Sequence, residues 1–233
     1  MILLKKIISY AIPTVVIPLA VMLGALIFRD RMYVWIAVCV AIMACIPFFL
    51  AFEKGSASSK RLTLVAVLTS LGIVGRLVFA VVPHFKPVAA LTQITGMFLG
   101  AHCGFICGAL SALISNFAFG QGPWTPFQML SWGLTGFFGG VFSRLLKHSR
   151  VAAYIYGALS GVVYSLILDV WSVLLYGGEA GSEMISLLIA SAPVMLIYAV
   201  SNVVFLALFI RPIGEKIERI KLKYGIELPE EDR

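Results

Sequence analysis

Charge is scarce in this chain. Lysine, arginine, aspartate and glutamate together make up 12% of 233 residues, only 11 of them acidic, and there are three histidines. With 61% hydrophobic residues and a mean hydropathy of +1.00, a domain of this size has too much surface relative to its volume to hide its apolar groups in a soluble core. Catalytic signatures are missing too. There is no Gly-x4-Gly-Lys-Ser/Thr phosphate loop, no His-Glu-x-x-His and no Gly-x-Ser-x-Gly, so neither ATP hydrolysis nor familiar hydrolase chemistry is encoded. No nucleophile, acid and base cluster together, which argues against a membrane-embedded enzyme. Cys39, Cys45, Cys103 and Cys107 all fall in apolar runs and read as small packing residues rather than disulfides. His102, Cys103 and Cys107 share helical spacing but lack a fourth ligand, so no metal is assigned.

What is present is a series of apolar runs near residues 7–28, 33–52, 62–82, 88–119, 127–146, 151–175 and 185–210. Most approach the roughly 20 residues that cross a bilayer as helix. These runs predict an all-α, polytopic membrane helical bundle. A cleavable signal peptide competes for the first run behind Lys5 and Lys6, but the run is long for an h-region and lacks a small-x-small site; it is read as a retained helix. The 88–119 run is too long for one span. Counted as two short passes it gives eight crossings with both termini cytoplasmic, and fourteen of the 18 cations then lie inside, as insertion favours. The net charge of +7 therefore reflects loop placement in a lipid bilayer, not a nucleic-acid surface.

Residues 1–52 are expected to form a transmembrane helical pair, 53–61 a cytoplasmic linker, 62–210 a six-helix core, and 211–233 a cytoplasmic amphipathic tail. The linker is small and charged, Glu53-Lys54-Gly55-Ser56-Ala57-Ser58-Ser59-Lys60-Arg61, and cannot stay in hydrocarbon. Arg211-Pro212 closes the core, after which Ile213, Ile217 and Ile220 alternate with charges, a spacing suited to a helix on the membrane face. Ten of 21 glycines lie between Gly96 and Gly140. Gly96, Gly100, Gly104 and Gly108 recur every four residues, a ridge that lets helices approach closely.

Of the ionisable groups inside apolar runs, Arg76 and Asp169 are the two most in need of explanation. Intramembrane charges are expensive and need partners. Each lies seven residues from the outer end of its run, roughly 10 Å deep at 1.5 Å per residue, so they are expected to pair, either only locking two helices or forming the floor of an outward pocket. Thr92 and Gln93, Asn116, and the uncharged loop carrying Trp124, Thr125, Phe127 and Gln128 are expected to reach the same outer third. Together they make a mostly apolar site with a few convergent polar groups, the usual profile for a small molecule.

These residues resemble the substrate-binding (S) subunits of energy-coupling factor (ECF) vitamin transporters. The resemblance spans about residues 62–210. It rests on Gly75-Arg76-Leu77-Val78-Phe79, the Pro83 and Pro87 loop, the glycine ladder running into Ser115-Asn116, and Gly122-Pro123-Trp124-Thr125-Pro126-Phe127-Gln128-Met129-Leu130-Ser131-Trp132-Gly133-Leu134. It implies a six-helix core, here preceded by an extra N-terminal helical pair, that takes up a vitamin or cofactor from outside. It also implies partnership with a transmembrane coupling protein and two cytoplasmic ATPases. The family's Ala-x-x-x-Ala coupling face corresponds to Ala66 and Ser70. The Gln121–Gln128 loop looks most like cobalamin-type members, with riboflavin or another planar vitamin also compatible. The alternative is a self-sufficient proton-coupled secondary carrier in which Asp169 takes and releases a proton against Arg76, although no second copy of the glycine ladder supports an inverted repeat.

Overall fold

A computed structural model describes residues 10–28, 57–176 and 180–226, together with residues 7, 35, 36, 39, 40, 42 and 43. Among the described residues every regular element is helical. A π-helical turn, Ile12–Val16, leads into α1 (Ile17–Phe28). There follow α2 (Ala57–Val78), α3 (Val88–Leu99), α4 (Ala101–Phe119), α5 (Thr125–Val141), the short α6 (Ser143–His148), α7 (Arg150–Tyr176) and α8 (Ala180–Tyr224).

The 88–119 run is two helices. The chain turns at Gly100, whose φ of 101° and ψ of 162° lie in a region open essentially to glycine alone. With 12 residues, α3 is only about 18 Å long, so α3 and α4 make a short antiparallel pair. Among the described residues, four segments are long and apolar enough to cross a membrane by length and composition: Ser59–Val81, Ala101–Phe119, Arg150–Val170 and Ile185–Tyr224.

The packing is that of a lipid-immersed bundle. Val67 and Leu77 on α2, Leu159 on α7 and Leu196 and Leu208 on α8 are exposed, whereas Thr92, Gln93, Thr95, Asn116 and Thr125 are fully buried. Apolar groups outside and hydrogen-bonded polar groups inside suit a hydrocarbon solvent. The centre is the α4–α5 contact, where a Cβ on Gly104 would collide with the Gly136 backbone and one on Gly108 with the Trp132 carbonyl. Gly96 on α3 meets the backbone at Gly136 and Gly140 in the same way. The glycine ladder is therefore a packing device, and by bringing α4 and α5 to backbone contact it lets short side chains bridge them further along.

Two expected boundaries move. Residues 57–61, expected in the linker, already belong to α2. The tail does not begin a separate helix at residue 211, because α8 runs unbroken through Pro193 and Pro212 to Tyr224. Its last turns pack on the bundle's end: Gly214 abuts the Phe98 ring, Lys147 pairs with Glu218 at 3.3 Å, and Lys60 donates to the Tyr224 carbonyl at 3.4 Å. This is the Lys147 end of the bundle; the opposite one is the Lys86 end. Finally, α1 packs against α5 and α7, burying Ile17 and Val21. It leaves Ala66 and Ser70 on α2 exposed. The second helix expected within residues 1–52 lies largely outside the described residues.

Candidate functional site

Arg76 sits in the last turn of α2 and is buried. Its Nη1 donates to Ser115 Oγ and, at 2.8 Å, to Asn116 Oδ1. Asn116 passes the network on, since its Nδ2 donates to Thr125 Oγ1 at 3.0 Å and to Gln128 Oε1 at 2.8 Å. Gln128 Nε2 donates to the Tyr164 hydroxyl at 3.1 Å. Thr125 also donates to Gln121 Oε1 at 2.9 Å and accepts from the Gly122 amide at 3.3 Å, which ties the Gly120–Trp124 connection to the cluster. One asparagine thus links α2, α4 and α5, and through Gln128 the network reaches α7.

Aromatic rings wall this network. Trp132 and Tyr164 stack with centroids 5.3 Å apart, and Tyr164 lies 4.7 Å from Tyr198 on α8. The Arg76 guanidinium lies over Phe119 at 4.4 Å and Trp132 at 5.0 Å, while Lys86 Nζ lies 4.6 Å from the same Phe119 ring, distances at which cation–π attraction operates. The loop that carries Lys86 turns back at His84, a left-handed residue with φ 61°, and is pinned to α8. The Lys86 amide donates to Ser201 Oγ at 2.8 Å, and Ser201 Oγ donates to the Lys86 carbonyl at 3.1 Å. His84 Nδ1 is paired with the Tyr198 hydroxyl at 3.2 Å. Burial lowers the His84 pKa below its ordinary value, and the Lys86 charge lowers it further. Burial likewise lowers Lys86, with Arg76 adding to the effect.

Of the residues expected at the site, Arg76, Asn116, Thr125 and Gln128 come together. Trp124 stands at the N-terminus of α5 with its indole over Gly122, at the edge of the cluster. Phe127 is buried in the apolar core. Thr92 turns its hydroxyl back onto the Val88 and Ala89 carbonyls. Gln93 does not reach the cluster: its Nε2 donates to the Ala153 carbonyl at 3.1 Å, and Ala153 lies eleven residues before Tyr164, roughly 16 Å along α7. Cys107 accepts from Thr95, and the His102 ring meets Tyr10 and Phe137 edge-on.

The expected Arg76–Asp169 ion pair is not formed. Asp169 accepts from Ser191 Oγ at 2.7 Å, a bond between α7 and α8. The reason is level. Arg76 is at the height of Tyr164, and α7 continues for another 12 residues to Tyr176, so Asp169 stands about 7 Å further out. The carrier reading loses its geometric basis, because no contact joins the proposed proton site to the arginine. Residues that the sequence reading missed are Ser115, Phe119, Trp132, Tyr164, Tyr198, Ser201 and His84. Lys86, on the α2–α3 loop, joins them at the Phe119 ring.

The structure is thus a multi-helix bundle of membrane type with a polar, aromatic-walled cluster near one end. A family model described as "ECF-type riboflavin transporter, S component" matches residues 56–219. That is more than two-thirds of the chain, and the chain belongs to this family. It is accordingly a multi-pass membrane protein and the vitamin-binding, substrate-capture subunit of a transporter rather than an enzyme; ECF S components work with a coupling protein and ATPases. The match starts at the beginning of α2 and ends inside the last turns of α8, so the family unit includes the helical extension beyond Pro212. Comparison with curated proteins and with solved structures returns no match.

Proposed function

We propose that this subunit captures a planar heteroaromatic vitamin, riboflavin or a related flavin, at the Arg76–Asn116–Gln128 cluster, and passes it inward with a separate coupling protein and two ATPases. The observation that carries the reading is the family match over residues 56–219 coinciding with a cluster that combines amide hydrogen-bonding groups and aromatic faces. Arg76, Asn116, Thr125 and Gln128 supply polar recognition, with Trp132, Tyr164, Tyr198 and Phe119 supplying ring contacts; Trp124 borders the entrance. Thr92, Gln93 and Phe127 serve the packing that holds these groups in place.

The Lys86 end faces outside and both termini lie in the cytoplasm. The cation bias supports this orientation, since Lys60, Arg144, Lys147, Arg150 and the cations of the α8 extension gather at the opposite end. The exposed Ala66 and Ser70 strip on α2 docks the coupling protein, its small side chains allowing close helix approach.

Purified protein is expected to quench riboflavin fluorescence saturably without ATP, while vesicle uptake requires the co-reconstituted coupling protein and ATPases. Saturable binding of cobalamin in place of riboflavin would move the assignment to the cobalamin-type members. Concentrative import by the lone chain that collapses with the proton gradient would overturn the receptor reading altogether.

A further inference from the structure

Two cations border one ring at the cluster, and among the described residues no carboxylate pairs with either. Arg76 is buried, and its Nε and Nη2 groups donate to no other described residue. Lys86 Nζ makes no hydrogen bond or ion pair among the described residues; its one neighbour of note is the Phe119 ring it shares with Arg76. Each of the three carboxylates whose side chains are described is engaged elsewhere: Asp169 with Ser191, Glu215 with Arg211, and Glu218 with Lys147 and Lys221. The groups that face Arg76 are instead uncharged, namely Ser115, Asn116, Trp132 and Phe119. A buried guanidinium beside a second cation is costly unless an opposite charge joins it. Evolution of a merely structural polar hub has no need of this arrangement, because a neutral amide would complete the Ser115 and Asn116 bonds at lower cost.

The two cations lie 4.4 and 4.6 Å from the Phe119 centroid, which makes the surroundings of that ring the place for an opposite charge. The Ser201 pin holds the Lys86 backbone against α8, so the ammonium reaches Phe119 from a fixed anchor. From the other side, Asn116 and Ser115 hold one arm of the guanidinium and leave the remaining N–H groups free to form a two-pronged contact with an oxyanion.

We propose that Arg76 and Lys86 form an oxyanion subsite, and that the ligand of this subunit carries a phosphate or carboxylate group beside the ring recognised by the aromatic wall. The proposal rests on the capture site described above and specifies the ligand's charge. Arg76 binds the oxyanion directly through its unused N–H groups, and Lys86 adds the second charge from the loop.

The test is equilibrium binding to the purified full chain in detergent with three probes: riboflavin, riboflavin 5′-phosphate and folate, which is planar and carries carboxylates. The subsite predicts that one of the anionic probes binds about tenfold or more tightly than riboflavin, as charge-assisted hydrogen bonding implies, and that raising salt narrows the difference. Lys86→Gln, which keeps the main-chain bonds to Ser201, should cut the anionic-to-neutral affinity ratio at least about fivefold. A preference for riboflavin 5′-phosphate assigns the group as phosphate; one for folate assigns it as carboxylate and overturns the flavin reading while upholding the subsite. Riboflavin binding as tightly as both anionic probes, with the ratio unmoved in K86Q, overturns the subsite and leaves the flavin reading standing. Failure of all three probes to bind overturns both.

Discussion

Replacing Asn116 with alanine should loosen the bundle and the site together, because this side chain is where α2, α4 and α5 meet. The substitution deletes three hydrogen bonds: one accepted from Arg76 and two donated to Thr125 and Gln128. A bond to a charged group contributes about 1.5–3 kcal/mol, and neutral interhelical bonds in membrane proteins average about 0.6 kcal/mol each. The combined loss is therefore about 3–4 kcal/mol, which for a chain of this size lowers the melting temperature by roughly 6–15 °C. Asn116→Asp separates the contributions. Aspartate still accepts from Arg76, now as an ion pair, but cannot donate to Thr125 and Gln128. It should melt well above N116A, and by giving Arg76 a counter-charge it should also reduce the preference for anionic ligands. Thermal unfolding in mild detergent and probe titration read the two effects. Wild-type-like melting of N116A, or equal losses in N116A and N116D, would refute the assignment of Asn116 as hub.

Gly136→Val places a branched side chain against the Gly104 backbone and should separate α4 from α5, seen as loss of monodisperse protein after extraction. Ala66→Trp should weaken co-purification with the coupling protein while riboflavin affinity stays at the wild-type level; the reverse pattern would move the docking face elsewhere. Asp169→Asn retains a partner for Ser191 and should leave uptake intact, whereas abolished uptake with unchanged binding would revive a proton-coupled role. For His84 the sign follows from its lowered pKa. The unfolded chain binds a proton more readily than the folded one, so stability is full above the ordinary value of 6.5 and falls as pH drops from there toward the folded value. Melting curves across that window should shift downward on acidification, and His84→Gln should flatten the shift.

Much of the fold could be read from residue order because hydrocarbon imposes simple lengths. The 88–119 run exceeds one span, and the cation bias demands an even number of passes there, so a break had to exist; Gly100 provides it. The continuity of α8 was hidden because Arg211-Pro212 reads as a stop, yet a proline inside a packed membrane helix is tolerated when neighbours satisfy the freed backbone groups. At the site, Arg76, Asn116, Thr125 and Gln128 were legible as polar groups out of place in apolar surroundings. Tyr164 and Tyr198 were not, since an aromatic residue in an apolar run has the same signature whether it packs against lipid, core or ligand. The Arg76–Asp169 pairing failed for a geometric reason: depths counted from helix ends agree only if the helices end at one height, and α7 and α8 overshoot the α2–α3 loop.

The uninterrupted α8 carries Tyr198 and Ser201 beside the Arg76–Asn116–Gln128 cluster and Gly214, Glu218 and Tyr224 against Phe98, Lys147 and Lys60 at the far end. Tyr198 and Ser201 at one end and Glu218 and Tyr224 at the other therefore belong to a single element, and a displacement at either end is shared with contacts at the opposite one.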